Sequence, residues 1–418
     1  MDLSVIIVSY NVRYFLSLCL CSVQNAAHGL NCEIFVVDNN SSDDSCEMVK
    51  KEFPKVKLIA NDDNKGFSAA NNQAIKAASG RYILLLNPDT IIGEDTFMKC
   101  IEFMDKHPDA GAAGVMMING KGKYLPESKR AIPYPKTAFY KISGLSYLFP
   151  RSSRFNRYYM GNLDPCSINN IDVISGAFMF IRSEAVAKTG LLDESFFMYG
   201  EDIDYSYRLL KAGYKNYYFP ETKILHFKGE STNREGIDFV INFYNAMLIF
   251  VKKHFNNRNL RRIMLTVRIA ILFRAALSVA YRLLRKILSP FPKLINVLHL
   301  KGSHDVPKTG IMIISDAKGH QRIKELLAPY NIEKDIHIGI NEDQDNENDS
   351  IRKIITDIEK GIRNNRIRQI IFSLGQMKYS TVINCMQLLS HHRLRFKIAS
   401  PGERYLVGSG SVIVVALK

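Results

Sequence analysis

Short, mainly apolar runs alternate along the first quarter of the chain with stretches whose apolar residues recur at helical spacing: Leu3–Val8 then Phe15–Val23, Ile34–Val37 then Cys46–Phe53, Val56–Ala60 then Ala69–Ala78, and Tyr82–Leu86 then Phe97–Met104. A continuous apolar run predicts a strand buried on both faces, and the amphipathic helices between such runs are what cover those faces. The pattern therefore predicts an α/β domain built on a parallel, doubly wound sheet. A polar loop follows each strand: Ser9-Tyr10-Asn11, Asp38-Asn39-Asn40-Ser41-Ser42-Asp43, Asn61-Asp62-Asp63-Asn64-Lys65-Gly66 and Asn87-Pro88-Asp89-Thr90. In a parallel sheet all four open on one edge, where ligands of open α/β sheets collect.

From Lys121 to Asn170 the pattern loosens into Pro, aromatic and basic residues, among them Lys129-Arg130, Arg151, Arg154 and Arg157. Two readings stand here: an acceptor-side loop region, or a surface excursion with solvated charges. Order returns with a predicted strand over Asp172–Ile181, which contains Ser175-Gly176, and with helical spacing from Asp202 to Lys211. Past Phe255 the chain becomes basic and amphipathic. At 100° per residue Arg268, Arg274, Arg282, Arg285 and Lys286 share one side, and Leu265, Ile269, Leu272, Phe273 and Leu284 the other. Such a helix suits a membrane interface with anionic head groups, or packing on the preceding domain. Ser289-Pro290-Phe291-Pro292 stops it.

A second unit begins near Thr309. Ile311–Ile314, Ile336–Ile340, Ile367–Phe372 and Arg395–Ile398 alternate with helical stretches near Gln321–Leu327, Ile351–Ile362 and Thr381–Leu389, which predicts a small α/β domain. The acidic stretch Asn341–Ser350 is expected to be a loop. Ser315-Asp316-Ala317-Lys318-Gly319 and Gly408-Ser409-Gly410-Ser411 lack the glycine spacing of a dinucleotide fingerprint and are expected to be turns. The resulting division is 1–255, 256–300 and 301–418.

Charge sharpens this division. The chain has 418 residues and a net charge of +15. Between Asn256 and Leu300 lie seven Arg and two Lys with no acid, a local charge of +9. Concentrated basicity points to an anionic surface near that segment rather than to a uniformly cationic protein. Its arginines alternate with long aliphatics instead of stacking aromatics, which fits a lipid interface and argues against a nucleic-acid partner. Seven cysteines without a CxxC pair do not form a disulfide framework. Met1-Asp2-Leu3-Ser4 leads straight into a strand without the basic and apolar regions of a signal peptide. No run reaches the roughly 18 apolar residues of a spanning helix. The expectation from these features is a cytoplasmic protein, peripheral on the inner face of the membrane.

Two acidic clusters carry the candidate chemistry. Asn87-Pro88-Asp89 ends a buried strand, where a carboxylate is placed to hold a metal-bound diphosphate, and Glu201-Asp202 follows the aromatic run Phe196–Tyr199 and offers a base. His226, opening His226-Phe227-Lys228-Gly229-Glu230-Ser231, is a possible further metal ligand.

Residues 3–255 resemble the family 2 glycosyltransferases, with their GT-A fold, and most closely the rhamnosyltransferase-like members. The carriers are Val5–Asn11, Val36-Val37-Asp38-Asn39-Asn40-Ser41-Ser42-Asp43, Asn64-Lys65-Gly66-Phe67-Ser68-Ala69-Ala70-Asn71-Asn72, Leu84–Asp89, Ile174-Ser175-Gly176-Ala177, Phe196–Asp204 and the run from His226 to Ser231. Their order and spacing together are specific. The resemblance implies an inverting, metal-dependent transferase that moves a sugar, rhamnose first among the candidates, from a nucleoside-diphosphate sugar to a glycan or polyprenyl-diphosphate-linked acceptor in bacterial surface polysaccharide synthesis. It implies donor contacts from Ser9, Asn11, Asp38, Asn40, Asn64, Gly66, Asn71, Asn87, Asp89, Ser175 and Gly176, with Asp38 on the base and Asp89 on the metal or ribose-diphosphate. Asp202 would be the general base and Glu201 would orient the acceptor. Asn87 departs from the family by replacing the first acid of Asp-x-Asp. A set of Asp89, His226 and diphosphate oxygens would then hold Mg²⁺ or Mn²⁺. Glucose, galactose or N-acetylhexosamine transfer is the enzymatic alternative, and a non-catalytic nucleotide-sugar-binding scaffold the other. The C-terminal unit bears a faint similarity to Rossmann-like domains that accompany some bacterial sugar transferases.

Overall fold

β1 (Leu3–Ser9), β2 (Cys32–Asp38), β3 (Lys57–Ala60) and β4 (Tyr82–Leu86) pair in parallel, joined by α1 (Arg13–Ala26), α2 (Ser45–Glu52) and α3 (Phe67–Ala77). The computed structural model describes residues 1–134, 137, 140, 141, 144–227, 237–254, 309–330, 334–339, 347–365, 367–374, 377–392, 394–402, 404–408 and 411–414. The basic segment 256–300 and residues 228–231 of the His226 motif lie outside them. Every residue of β1 and β4 is buried, as strands covered on both faces require. The registers set Ser9 beside Asp38, Asp38 beside Ala60 and Ile7 beside Leu86, so the four polar loops do leave from one edge.

Beyond β4 the sheet becomes mixed. Then follow β5 (Thr90–Ile92), α4 (Thr96–Lys106), β6 (Ala110–Ile118), α5 (Leu145–Leu148), β7 (Asn169–Ile171), β8 (Phe178–Arg182), α6 (Ser183–Thr189), α7 (Glu201–Lys211), β9 (Lys215–His226) and α8 (Ile237–His254). The strand order is β3-β2-β1-β4-β8-β6-β9-β5, with β7 on β9. β8 runs antiparallel to both β4 and β6, and β5 antiparallel to β9. β6 carries little sequence signal because Ala and Gly are poor strand formers. Packing explains its composition: a Cβ on Gly111 would lie 2.7 Å from Tyr214 Cβ, and one on Gly114 2.9 Å from Ile174 Cγ2.

The single strand expected over Asp172–Ile181 is broken. β7 ends at Ile171 and β8 starts at Phe178, because the intervening backbone bonds elsewhere, Val173 N to the Arg130 carbonyl (2.9 Å) and the N–H groups of Ile174 and Gly176 to side chains of α7. Ile174 N donates to Ser206 Oγ (3.1 Å) and Gly176 N to Asp202 Oδ2 (3.2 Å).

The C-terminal unit has its own sheet, built from β10 (Thr309–Ser315), α9 (Ala317–Leu327), β11 (Lys334–Gly339), α10 (Glu347–Asn365), β12 (Gln369–Ser373), α11 (Tyr379–Leu388), β13 (Arg395–Ala399), β14 (Tyr405–Gly408) and β15 (Ser411–Val414). The order is β11-β10-β12-β13-β14-β15, parallel through β13 and antiparallel after it. Asp316 caps α9 by accepting from Gly319 N at 2.7 Å. The acidic stretch expected as a loop is partly helical: α10 starts at Glu347, with acids at the positive helix end. This unit packs on the first through an apolar cluster that joins Val12, Phe15 and Leu18 to Val382, Ile383, Met386 and Tyr405. Glu94 accepts from Tyr379 N (2.6 Å) and Ser380 N (3.1 Å), satisfying the N-terminus of α11 from across the boundary.

Candidate active site

The first two loops brace each other at the sheet edge. Ser42 N donates to Asn11 Oδ1 (2.8 Å), Arg13 N to Asp43 Oδ2 (2.8 Å) and Ser41 N to Asp38 Oδ1 (2.8 Å). Asn11 and Asn40 hold positive φ, which Asn tolerates, and both are exposed. These bonds leave Asp38 Oδ2 and Ser9 Oγ buried without a partner among the described residues, on neighbouring strands of one register. Buried polar atoms are normally satisfied, so a pair left open at a ligand-collecting edge marks a place for ligand donors.

The third loop closes on the turn before α7. Asn64 Oδ1 accepts from Gly66 N (3.0 Å), and Phe67 N donates to the Phe197 carbonyl (2.7 Å). Gly66 has φ +81°, and a Cβ there would lie 2.6 Å from that same carbonyl, so only glycine fits. Asn71 is buried, with its amide donated to the Phe67 carbonyl (2.8 Å); it braces the start of α3.

Asp89 and His226 stand side by side. β5 pairs with β9 so that Thr90 faces His226, which brings His226 Nε2 to 3.3 Å from Asp89 Oδ1 with both side chains buried. Two ligands of one ion, each about 2.0–2.2 Å from it, stand at about this separation, so the pair fits a divalent metal. One imidazole with one carboxylate suits Mn²⁺ better than Mg²⁺. Asn87 sits at the join to the other cluster, its N–H donating to the Ala177 carbonyl (3.1 Å).

Glu201 and Asp202 open α7 after two left-handed residues, Tyr199 (φ 69°) and Gly200 (φ 85°), that turn the chain into the helix. Around Gly176 the segments converge: a Cβ there would lie 3.5 Å from Asp202 Cβ and 3.8 Å from both Glu201 Oε1 and Phe67 Cε1. The Ser175 hydroxyl is turned to its own loop and accepts from Ala177 N at 3.3 Å. The two acids differ sharply in setting. Burial, reinforced by the neighbouring Asp202 charge, pushes the Glu201 carboxyl up to about 8, and its Oε2 has no partner among the described residues. Asp202 accepts from Gly176 N and forms a short ion pair with Arg130.

Arg130 is the residue that the sequence undervalues. Lys129-Arg130 reads as part of a solvated or acceptor-side loop, yet the Arg130 guanidinium is buried and also donates to the Ile174 carbonyl (3.0 Å). Against the cost of that burial, Asp202 and Tyr158 raise its already high pKa. Burial pushes the Tyr158 phenol up, but Lys141 and Arg130 outweigh it and hold the group below its ordinary value. The only hint in sequence is a pair of bases in a segment without acids.

Asp204, one turn beyond the site, is fully buried and meets Arg208 Nε (2.8 Å), Lys253 Nζ (2.9 Å) and His254 Nε2 (2.6 Å). It fastens the end of α8 to α7. A groove of about 340 Å³ opens between α8 and the 195–198 turn, lined among others by Phe197, Met198, Asn245 and Ile249.

Residues 4–190 match the family described as Glycosyl transferase family 2. The chain is 25% identical over 229 residues to N-acetylglucosaminyl-diphospho-decaprenol L-rhamnosyltransferase of Mycobacterium tuberculosis, covering 52% of this chain and 74% of that one. It is 29% identical over 191 residues to poly-beta-1,6-N-acetyl-D-glucosamine synthase of Staphylococcus aureus, covering 45% and 41%. Among solved structures, the mannosyltransferase PcManGT from Pyrobaculum calidifontis, in complex with GDP-Man and Mn2+, is similar with a TM-score of 0.43 at 15% identity, covering 69% of this chain and 81% of that one. The match over residues 4–190 makes the N-terminal mixed α/β domain a family 2 glycosyltransferase domain.

Proposed function

We propose that the N-terminal domain transfers a sugar, rhamnose first among the candidates, from a nucleoside-diphosphate sugar to a hydroxyl of a glycan or polyprenyl-diphosphate-linked acceptor, with inversion, at an anionic membrane surface on the cytoplasmic side. The observation that carries this reading is the meeting at one sheet edge of unpartnered Asp38 and Ser9 atoms, the Asp89–His226 pair and the Glu201–Asp202 pair. Similarity to an L-rhamnosyltransferase supports the choice of sugar. Asp38 and Ser9 bind the donor's base and ribose side, and Asp89 and His226 hold Mn²⁺ or Mg²⁺. Such an ion offsets charge on the departing diphosphate.

Asp202 takes the proton of the acceptor hydroxyl. The acceptor oxygen bonds to the anomeric carbon from the face opposite the leaving group, and the bond to the diphosphate oxygen breaks with its electron pair leaving on the nucleoside diphosphate. Arg130 and Gly176 N hold the Asp202 carboxylate in place. Glu201, protonated at neutral pH, donates a hydrogen bond that orients the acceptor, so two carboxyls take two roles by environment. Release of nucleoside diphosphate in the presence of acceptor, across a panel of nucleoside-diphosphate sugars, tests the reading; no turnover with any donor would leave the non-catalytic alternative.

Two measurements check the parts. Chelator should abolish turnover and added Mn²⁺ restore it, with Asp89→Ala and His226→Ala each weakening metal-dependent donor binding at least ~10-fold; unchanged activity in chelator would remove the metal from the scheme. The Glu201 prediction concerns pH. Its folded pKa lies above the unfolded value, so the unfolded chain releases this proton first, and the group's contribution to stability falls as pH rises from about 4.5 to about 8. Wild-type turnover should therefore decline above about pH 8 as Glu201 ionises. Glu201→Gln, which keeps the donor, should retain turnover and lose that decline.

A further inference from the structure

α5 and the residue after it place three consecutive large apolar side chains in water: Tyr147 is 87% exposed, Leu148 68% and Phe149 49%. The other exposed large apolar residues that the structure describes stand singly along the chain. Single exposures are ordinary, but a contiguous set marks an interaction site.

This knuckle is built, not slack. The Phe149 ring lies 5.1 Å from Phe155, which lies 5.2 Å from Tyr140. Asn156 Nδ2 donates to the Pro150 carbonyl (2.7 Å) and Ser152 N to the Phe149 carbonyl (3.1 Å). Those bonds fix the base of the knuckle and leave Tyr147 and Leu148 at its tip.

Charge identifies what the tip meets. Seven bases and no acid lie between Glu127 and Asp164, and Arg151, Arg154 and Arg157 are exposed beside the knuckle. An apolar tip with an amphipathic tyrosine, ringed by arginines, matches the boundary between acyl chains and anionic head groups. The chain runs on from there to Tyr158, which stands beside Arg130 and hence Asp202.

We propose that the Tyr147-Leu148-Phe149 knuckle inserts into the interface of an anionic bilayer, with Arg151, Arg154 and Arg157 on lipid phosphates, and docks the catalytic edge against the membrane. The proposal rests on the membrane-surface reading above but assigns the contact to a segment separate from 256–300.

The chain contains no tryptophan, so a single introduced indole reports locally. Full-length Tyr147→Trp, with Met98→Trp on α4 as control, is mixed with vesicles of phosphatidylcholine and phosphatidylglycerol, with and without brominated lipid. Emission from the Tyr147→Trp variant should shift to the blue and be quenched by bromine, and emission from the Met98→Trp control should do neither. Adding Arg151→Gln and Arg154→Gln to Tyr147→Trp should raise the lipid concentration needed by roughly 10- to 30-fold. Co-sedimentation of the Tyr147→Trp variant with unshifted emission would overturn the knuckle and leave the membrane reading intact. Failure to co-sediment at all would overturn both. A blue shift of equal size on neutral and anionic vesicles would overturn the assignment of the arginines to phosphate.

Discussion

Asp202→Asn should lower turnover by at least ~10²-fold while donor affinity stays near wild type. Asparagine keeps the shape and can still accept from Gly176 N, but it cannot take the acceptor proton. The proposed donor contacts at Asp38, Ser9 and Asp89 lie on other elements and should be unaffected, so the loss belongs in kcat and not in KM for donor. Steady-state kinetics with isothermal titration of donor separates the two. Near-normal turnover would move the base to Glu201, whose raised pKa and unpartnered Oε2 make it the next candidate.

Arg130→Met should destabilise the protein by about 3–5 kcal/mol, because it leaves the Asp202 carboxylate in a buried setting without its counter-charge. The side chains of Arg130 and Asp202 are only 10% and 13% exposed, so water cannot take over that role. Denaturant unfolding of Arg130→Met, Asp202→Asn and the double variant forms a cycle. The double variant should be much less destabilised than the sum of the singles, since a neutral pair has no charge left to strand. A simple sum would mean that Arg130 acts through packing alone.

Much of the fold is legible in the sequence for a specific reason: β2, β4, β10 and β12 each carry an unbroken apolar run, and amphipathic helices separate them from the more mixed strands between, a pattern with few other solutions. β6 is not, because its small residues answer to Tyr214 and Ile174, which the chain order does not place beside it. Ser175-Gly176 reads as strand for the same kind of reason: its bonds go to α7, which lies later in the chain. In the site, Asp89 and His226 are findable as residue types at strand ends. Arg130 is not, since only burial against Asp202 distinguishes it from the exposed Arg151, Arg154 and Arg157 of the same loop.

The cluster at Asp204 has a mechanical consequence. An 18-residue helix spans about 27 Å, and α8 delivers the end of that length, Lys253 and His254, directly onto the helix that begins with Glu201 and Asp202. Three cationic or hydrogen-bonding partners on one buried carboxylate make that junction stiff. His254, from which the sequence runs on toward its most basic stretch, is thus held at a set standoff from Glu201 and Asp202. α8 therefore works as a ruler with its zero mark at α7, so that a pull on its end would be felt at Glu201 and Asp202 rather than absorbed by slack.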